Sequence, residues 1–275
     1  MKVALCFIIS YEHIVNKEQI WIDWIESNKD IINVYFHYQD IKKIKSEWIL
    51  KNIIPERNIV KTSYYHVVQA YMTLMNYAFF HDSENTWFCF LTDSCVPILS
   101  PSHFRKLFME KYNKSILKWT YSWWNVLFHK RANLRFLPKE FRLAHDPWFV
   151  LTRQHVQICV DFSIRKRNMY KLICRGGLAN ESIFIIMLKC YLGENSLNIE
   201  NIENQSTTMT DWSRMTSATS PYVFKSDNQY DKEWILKKKS ENPEYIFLRK
   251  VDKNFPDFLL KEIINISSDC HNQYK

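Results

Sequence analysis

Residues 65–98 read YHVVQAYMTLMNYAFFHDSENTWFCFLTDSCVPI, and the two halves of this stretch decide the fold. In the first half Val67, Tyr71, Leu74 and Ala78 recur at i, i+4, i+7 and i+11, the spacing of one helix face. In the second, residues 86–91 (TWFCFL) form an unbroken apolar run of strand length. Such a run marks a strand covered on both faces. The polar turn Asp82-Ser83-Glu84 separates the two. A helix that turns into a doubly buried strand is a unit of an α/β fold.

Working outward, the same alternation holds. Residues 2–9 (KVALCFII) are a second apolar run, ending in the polar Ser10-Tyr11-Glu12. Ile20, Trp21, Trp24 and Ile25 place a helix on residues 18–26, and residues 31–37 (IINVYFH) read as another buried strand. A short helix over 46–54 stops at Pro55, and a further helix covers 102–111 after Pro101. This order predicts a mostly parallel central sheet flanked by helices. Ligands in such sheets sit beyond the carboxyl ends of the strands, which singles out Ser10, His37 and residues 92–97, with Asp93 and Ser94 among them. The middle is less regular: residues 119–128 are aromatic and 130–142 basic. A strand at 148–152 then runs into a helix over 153–164, and a polar link leads to an apolar helix over 181–192, with Asn180 as its N-cap. Residues 195–208 read as a loop, 245–248 as a strand and 258–266 as a helix. Neither a repeat nor a linker cuts the chain, so one domain over 1–275 is expected.

Composition narrows the function. The 275 residues are 47% hydrophobic and 24% charged, which excludes wholesale disorder. Only 3 glycines occur, too few for a phosphate-binding glycine loop or a dinucleotide turn. Lys and Arg outnumber Asp and Glu 37 to 29, giving +8 and a pI near 9.0. That balance suits a phosphorylated ligand, an anionic surface or nucleic acid, although a lysine-rich solvated surface produces it too. Aromatics at 16% supply core material and stacking surfaces. The 7 cysteines lack CxxC spacing and lie mostly in apolar runs, as reduced buried thiols do. No stretch nears the roughly 18 apolar residues of a membrane helix, so a soluble, cytoplasmic chain is expected.

Hydrolytic chemistry finds no support. Ser94 lacks the glycines of a nucleophile turn, and His145-Asp146 and His81-Asp82 are adjacent, hence on different faces. Asp-x-Asp, the usual holder of a divalent ion against a nucleoside diphosphate, is absent. Taken singly, Glu181 serves the dipole of the helix it opens, and Arg249-Lys250 forms a solvated strand end.

In order along the chain, six segments change that reading. They are residues 64–74, with Val68, Gln69 and Ala70; 88–98 (FCFLTDSCVPI); 141–155 (FRLAHDPWFVLTRQH); Cys174 with Asn180-Glu181; 211–214 (DWSR), with Ser220-Pro221 and Phe224; and 247–250 (FLRK). Together they resemble the core-2/I-branching glycosyltransferase family. The resemblance implies a GT-A-like fold, with a nucleotide-sugar-binding half at 1–115 and an acceptor and catalytic half at 116–275. It implies inverting transfer from a UDP-sugar to a glycan or glycoprotein hydroxyl, with no metal or other cofactor. Glu181 matches the family's base and Lys250 its diphosphate lysine, with either Arg214 or Arg249 as the second cation. Ser10 and His37 fall on the donor side, while Asp93, Ser94 and Trp148 fall to the acceptor and the cleft. Asn180 stands where the family has Asp, and His37-Tyr38-Gln39-Asp40 replaces its His-x-Asp. An inverting transfer needs one carboxylate to take the hydroxyl proton and fixed positive charge at the departing diphosphate. N-acetylglucosamine is the leading donor sugar and xylose its rival. No nucleic-acid partner or membrane anchor is expected. The competing class is a binding protein for carbohydrate or nucleic acid, descended from such a transferase but without turnover.

Overall fold

A computed structural model describes residues 1–192, 201–215, 217 and 220–266. In chain order the first elements are β1 (Lys2–Ile8), α1 (Glu18–Glu26), β2 (Ile32–His37), α2 (Glu47–Lys51), α3 (Val68–His81), β3 (Asn85–Thr92), β4 (Val96–Pro97) and α4 (Pro101–Lys111). The middle holds β5 (Ser115–Ile116), β6 (Trp119–Tyr121), β7 (Leu143–His145), β8 (Val150–Thr152), α5 (Arg153–Arg165), α6 (Arg167–Cys174) and α7 (Ile183–Leu192). The last are β9 (Ile202–Glu203), β10 (Thr208–Thr210), α8 (Gln229–Glu241), β11 (Phe247–Arg249) and α9 (Asp257–Asn265).

The apolar runs become central strands because their side chains alternate between two cores. From β1, Val3, Leu5 and Phe7 enter one core and Ala4 and Cys6 the other. From β3, Trp87, Cys89 and Leu91 join the first, while Phe88 and Phe90 join the second. Helices α1, α4 and α9 cover the first core, and α3, α5 and α7 the second. The result is a mixed α/β molecule around a six-stranded sheet of order β2-β1-β3-β8-β5-β9. Its β1–β2, β1–β3 and β5–β9 pairs are parallel, and β8 runs antiparallel to β3 and β5. A three-stranded sheet, β10-β11-β4, carries the C-terminal strand β11 against the segment that follows β3.

The differences from the sequence reading have local causes. The strand expected at 148–152 is shorter, because Trp148 and Phe149 lead into β8. The polar link before residue 180 holds the short α6, whose apolar residues within 169–174 pack against the second core. The C-terminal α8 was not anticipated, since only Asp231, Ile235 and Lys239 of its thirteen residues are buried. Of the loop expected at 195–208, residues 195–200 lie outside the described residues, while β9 and the start of β10 occupy part of the rest. Gly193 and Cys270 also lie outside them. Cys6, Cys89, Cys95 and Cys159 are buried free thiols and Cys174 a half-buried one. Among the described residues no helix is long and apolar enough to cross a membrane.

Candidate active site

Sheet order reverses at β1: the chain steps from β1 outward to β2, then returns to β3 on the other side. The crevice beyond the carboxyl ends of β1 and β3 is therefore the topological switch point. Ser10 and Asp93 span it, the Ser10 amide donating to Asp93 Oδ2 at 3.1 Å. The Asp93 carbonyl accepts from the Asn16 amide at 2.9 Å, fastening the loop after β1. Ser94 is buried; its carbonyl accepts from the Val251 amide at 3.0 Å, and its hydroxyl has no partner among the described residues. Phe224 donates its amide to the Lys250 carbonyl at 2.9 Å. These bonds fix the backbone around Lys250 at the switch point. Burial draws the Lys250 pKa below its ordinary value, with Arg249 adding to the effect and Asp93 and Glu12 opposing it. Asp93 and Ser94 thus fall on the Lys250 side of the crevice.

His37 ends β2 and is 1% exposed. Its Nε2 accepts from the Val60 amide at 3.4 Å, so the ring proton sits on Nδ1, which has no partner among the described residues. Burial lowers its pKa to about 4, so the ring is neutral.

Glu181 is reached from a different part of the chain. It closes a single 3-10 turn, Ala179–Glu181, set between Leu178 in the left-handed region (φ 54) and Ser182 (φ −146). Helix α7 starts only at Ile183, so the expected helix start at 181 and the expected N-cap at Asn180 are both displaced. The non-helical Ser182 separates the carboxylate from the helix, and Asn180 lies inside the turn. What holds the turn is its neighbours. The Leu178 amide donates to the Tyr65 carbonyl at 2.9 Å, and Gly177 forms a bridge with Arg131. Gly176 permits that approach, because a Cβ there would lie 2.3 Å from the Asn133 nitrogen and 2.6 Å from the Ala132 carbonyl carbon.

The approach delivers Arg131 to Glu181, and the two form a close ion pair between Arg131 Nη2 and Glu181 Oε2. The guanidinium also lies over Trp124, 4.4 Å from the ring centroid, and 5.9 Å from that of Trp123. Burial raises the Glu181 pKa above the ordinary glutamate value. Arg131 opposes that shift, Asp146 adds to it, and Arg249 opposes it again.

Arg249 influences both groups, opposing the rise at Glu181 and adding to the fall at Lys250. It stands at the end of β11, with Nε donating to Thr92 Oγ1 at 3.0 Å, at the end of β3. Its guanidinium carbon lies 4.3 Å over the Trp148 ring. Trp148 is 7% exposed, and Arg249 covers one of its faces, so the ring supports the arginine and leaves little surface for a sugar. Arg214 does not join this group. Its guanidinium donates to Asp211 at 2.5 Å and to Asp231 at 2.6 Å, and lies 3.9 Å over the Tyr222 ring. His145 and Asp146 form no triad: the His145 ring bonds the Asp146 carbonyl, and Asp146 Oδ2 accepts from Ser206 at 2.6 Å.

The sequence reading singles out the segment that holds Thr92 but gives no role to Arg131, Asp146 or the Trp123–Trp124 pair. Nothing in the basic run around Arg131 marks it. The only pointer was the Gly176-Gly177 pair in a chain so poor in glycine. The arrangement holds a partly buried carboxylate on one arginine, within the influence of Arg249, which is bonded at the carboxyl end of β3 and is followed by Lys250. Such a site can accept a proton from one reactant while it stabilises negative charge on another. The Core-2/I-Branching enzyme family model matches residues 5–237, the greater part of the chain. No curated protein matches it.

Proposed function

We propose, from the premise that the chain belongs to the core-2/I-branching enzyme family, that it is an inverting, metal-independent transferase acting on a UDP-sugar. Glycosyltransferase activity follows from the family; the donor, the stereochemistry and the absence of a metal are the proposal. The observation that carries it is the position of Arg249, bonded to Thr92 at the end of β3 and adjacent to Lys250, beside the carboxylate that Arg131 holds at Glu181.

In this reading Glu181 takes the proton of an acceptor hydroxyl as that oxygen attacks the anomeric carbon. The bond from that carbon to the diphosphate oxygen breaks on the opposite face, and UDP leaves with the electron pair. Arg249 and Lys250 meet the growing negative charge, which in other transferases falls to a divalent ion. Arg131 holds the Glu181 carboxylate in place. Asp93 and Ser94 position Lys250 and the Ser10 loop. The Nδ1–H of His37 and the Ser10 loop take the uridine side, and the acceptor is a glycan or glycoprotein hydroxyl. Arg249 is favoured as the second diphosphate cation, since Arg214 already has two carboxylate partners. N-acetylglucosamine is the first donor sugar to test and xylose the second. A cytoplasmic setting belongs to this reading, since most of the cysteines lie in apolar runs without CxxC spacing.

A thermal-shift panel of nucleotide sugars tests the donor class, because a ligand that binds only the folded chain raises its melting temperature. UDP-sugars should stabilise the protein and GDP- and CMP-sugars should not. Slow UDP release without acceptor should follow the same ranking. Stabilisation by none of them would leave the non-catalytic class as the better description.

A further inference from the structure

Between β6 and β7 the chain makes a tight turn over residues 125–129, whose side chains have no role in the transfer reading. The Asn125 carbonyl accepts from the amides of Phe128 (3.2 Å) and His129 (3.0 Å), and its side-chain oxygen accepts from the Leu127 amide at 3.0 Å. Val126 points inward at 9% exposure. Leu127 and Phe128 stand out at 67% and 84%, and Trp123 at 68%. Tyr121 and Phe136, from the same segment, are also more than half or about half exposed. One exposed apolar side chain is ordinary, but five from one segment are not. The charge around them is mostly positive. Residues 118–140 contain Lys118, Lys130, Arg131, Arg135 and Lys139 against one acid, Glu140. Lys118, Lys130 and Lys139 are exposed, whereas Arg131 is neutralised by Glu181.

We propose that this segment docks the protein onto an anionic lipid bilayer. Trp123, Leu127 and Phe128 enter the interface, where aromatic and apolar side chains partition. Lys118, Lys130 and Lys139 meet the lipid phosphates. The same segment continues into Arg131, the partner of Glu181, so docking brings the candidate base to the membrane surface. An acceptor carried on a lipid or a membrane protein then reaches the site directly. That consequence rests on the transferase reading; the docking does not.

Vesicle flotation of the full chain tests it, with phosphatidylcholine alone and with phosphatidylserine added. The protein should float with the anionic vesicles, less with the neutral ones, and less again as salt rises. Leu127→Ser with Phe128→Ser should lower the bound fraction at least about tenfold, because two large apolar side chains are lost from the interface. Both are exposed, so the fold survives the change, which circular dichroism would verify. Lys130→Ala with Lys139→Ala should also weaken binding, and the charge-matched pair Lys106→Ala with Lys237→Ala should not. Absence of flotation, wild-type flotation of the serine variant, or equal loss in the matched pair would overturn the proposal. So would a serine variant that floats normally yet loses transfer to a soluble sugar, since the loop would then serve the acceptor.

Discussion

Glu181 sits between opposing influences, and each makes a measurable claim. Burial lifts its carboxyl pKa and Arg131 pulls it down. A base must be deprotonated to act, so the acid limb of kcat/KM should lie above the ordinary glutamate value of about 4.3. Arg131→Met removes a cation that favours the carboxylate, so the pKa rises and the limb moves to higher pH. An unmoved limb in that variant would mean that Arg131 does not govern the carboxylate. At the other end of the site, Lys250→Ala and Arg249→Ala should each weaken UDP far more than uridine, because only UDP brings the charge they meet. Equal losses for both ligands would make these cations structural. Arg214→Ala should behave differently, as Asp211 and Asp231 have side chains 0% and 1% exposed and would be left without their shared cation. It should cost about 3 kcal/mol or more in stability, seen in urea unfolding, with UDP binding by the folded fraction preserved.

At the scale of elements, the turn that carries Glu181 depends on close backbone contact. Gly176→Ala would force a Cβ into the Ala132–Asn133 backbone. It should cost about 1–3 kcal/mol, the range for overpacking, and lower transfer as Arg131 shifts. Gly177→Ala meets only Tyr65 at 3.7 Å and should be far milder. Equal melting temperatures for the two variants would contradict this account of the turn. The elements legible in the sequence were those whose burial leaves a period: β1 and β3 as two-sided strands, α3 as a one-sided helix. Helix α6 is short, eight residues, and α8 is lysine-rich with only three buried residues, so neither leaves a clear period. Strands of two or three residues, such as β9 and β10, are too short to leave a run. Glu181, Lys250 and Arg249 enter the sequence reading through flanking residues, whereas the partners that the fold gives Glu181 and Arg249 do not stand out there as pairs. Arg131 lies 50 positions from Glu181, and Thr92 lies 157 from Arg249; only topology brings each pair together. The stack of Arg249 on Trp148 likewise needs β8 and β11 to converge.

Across the whole molecule, the first half of the chain builds the crevice and the second half delivers the charges into it. β11 reaches Thr92 through its pairing with β4, and the loop before α7 brings the carboxylate. Because Arg249 and Lys250 are part of the chain, transfer should persist in excess EDTA and respond little to added manganese. It should weaken as salt rises, since contacts to a diphosphate in an open crevice are screened. Loss in EDTA with rescue by manganese would remove both residues from the leaving-group role. The central claim is that one carboxylate performs the proton transfer while separate cations hold the donor. The most direct test is the turnover of Glu181→Gln at saturating donor, with UDP affinity measured on the same preparation. Turnover should fall by about 10²-fold or more, the scale of a lost general base, with UDP affinity unchanged; turnover near that of the unaltered protein would contradict the account.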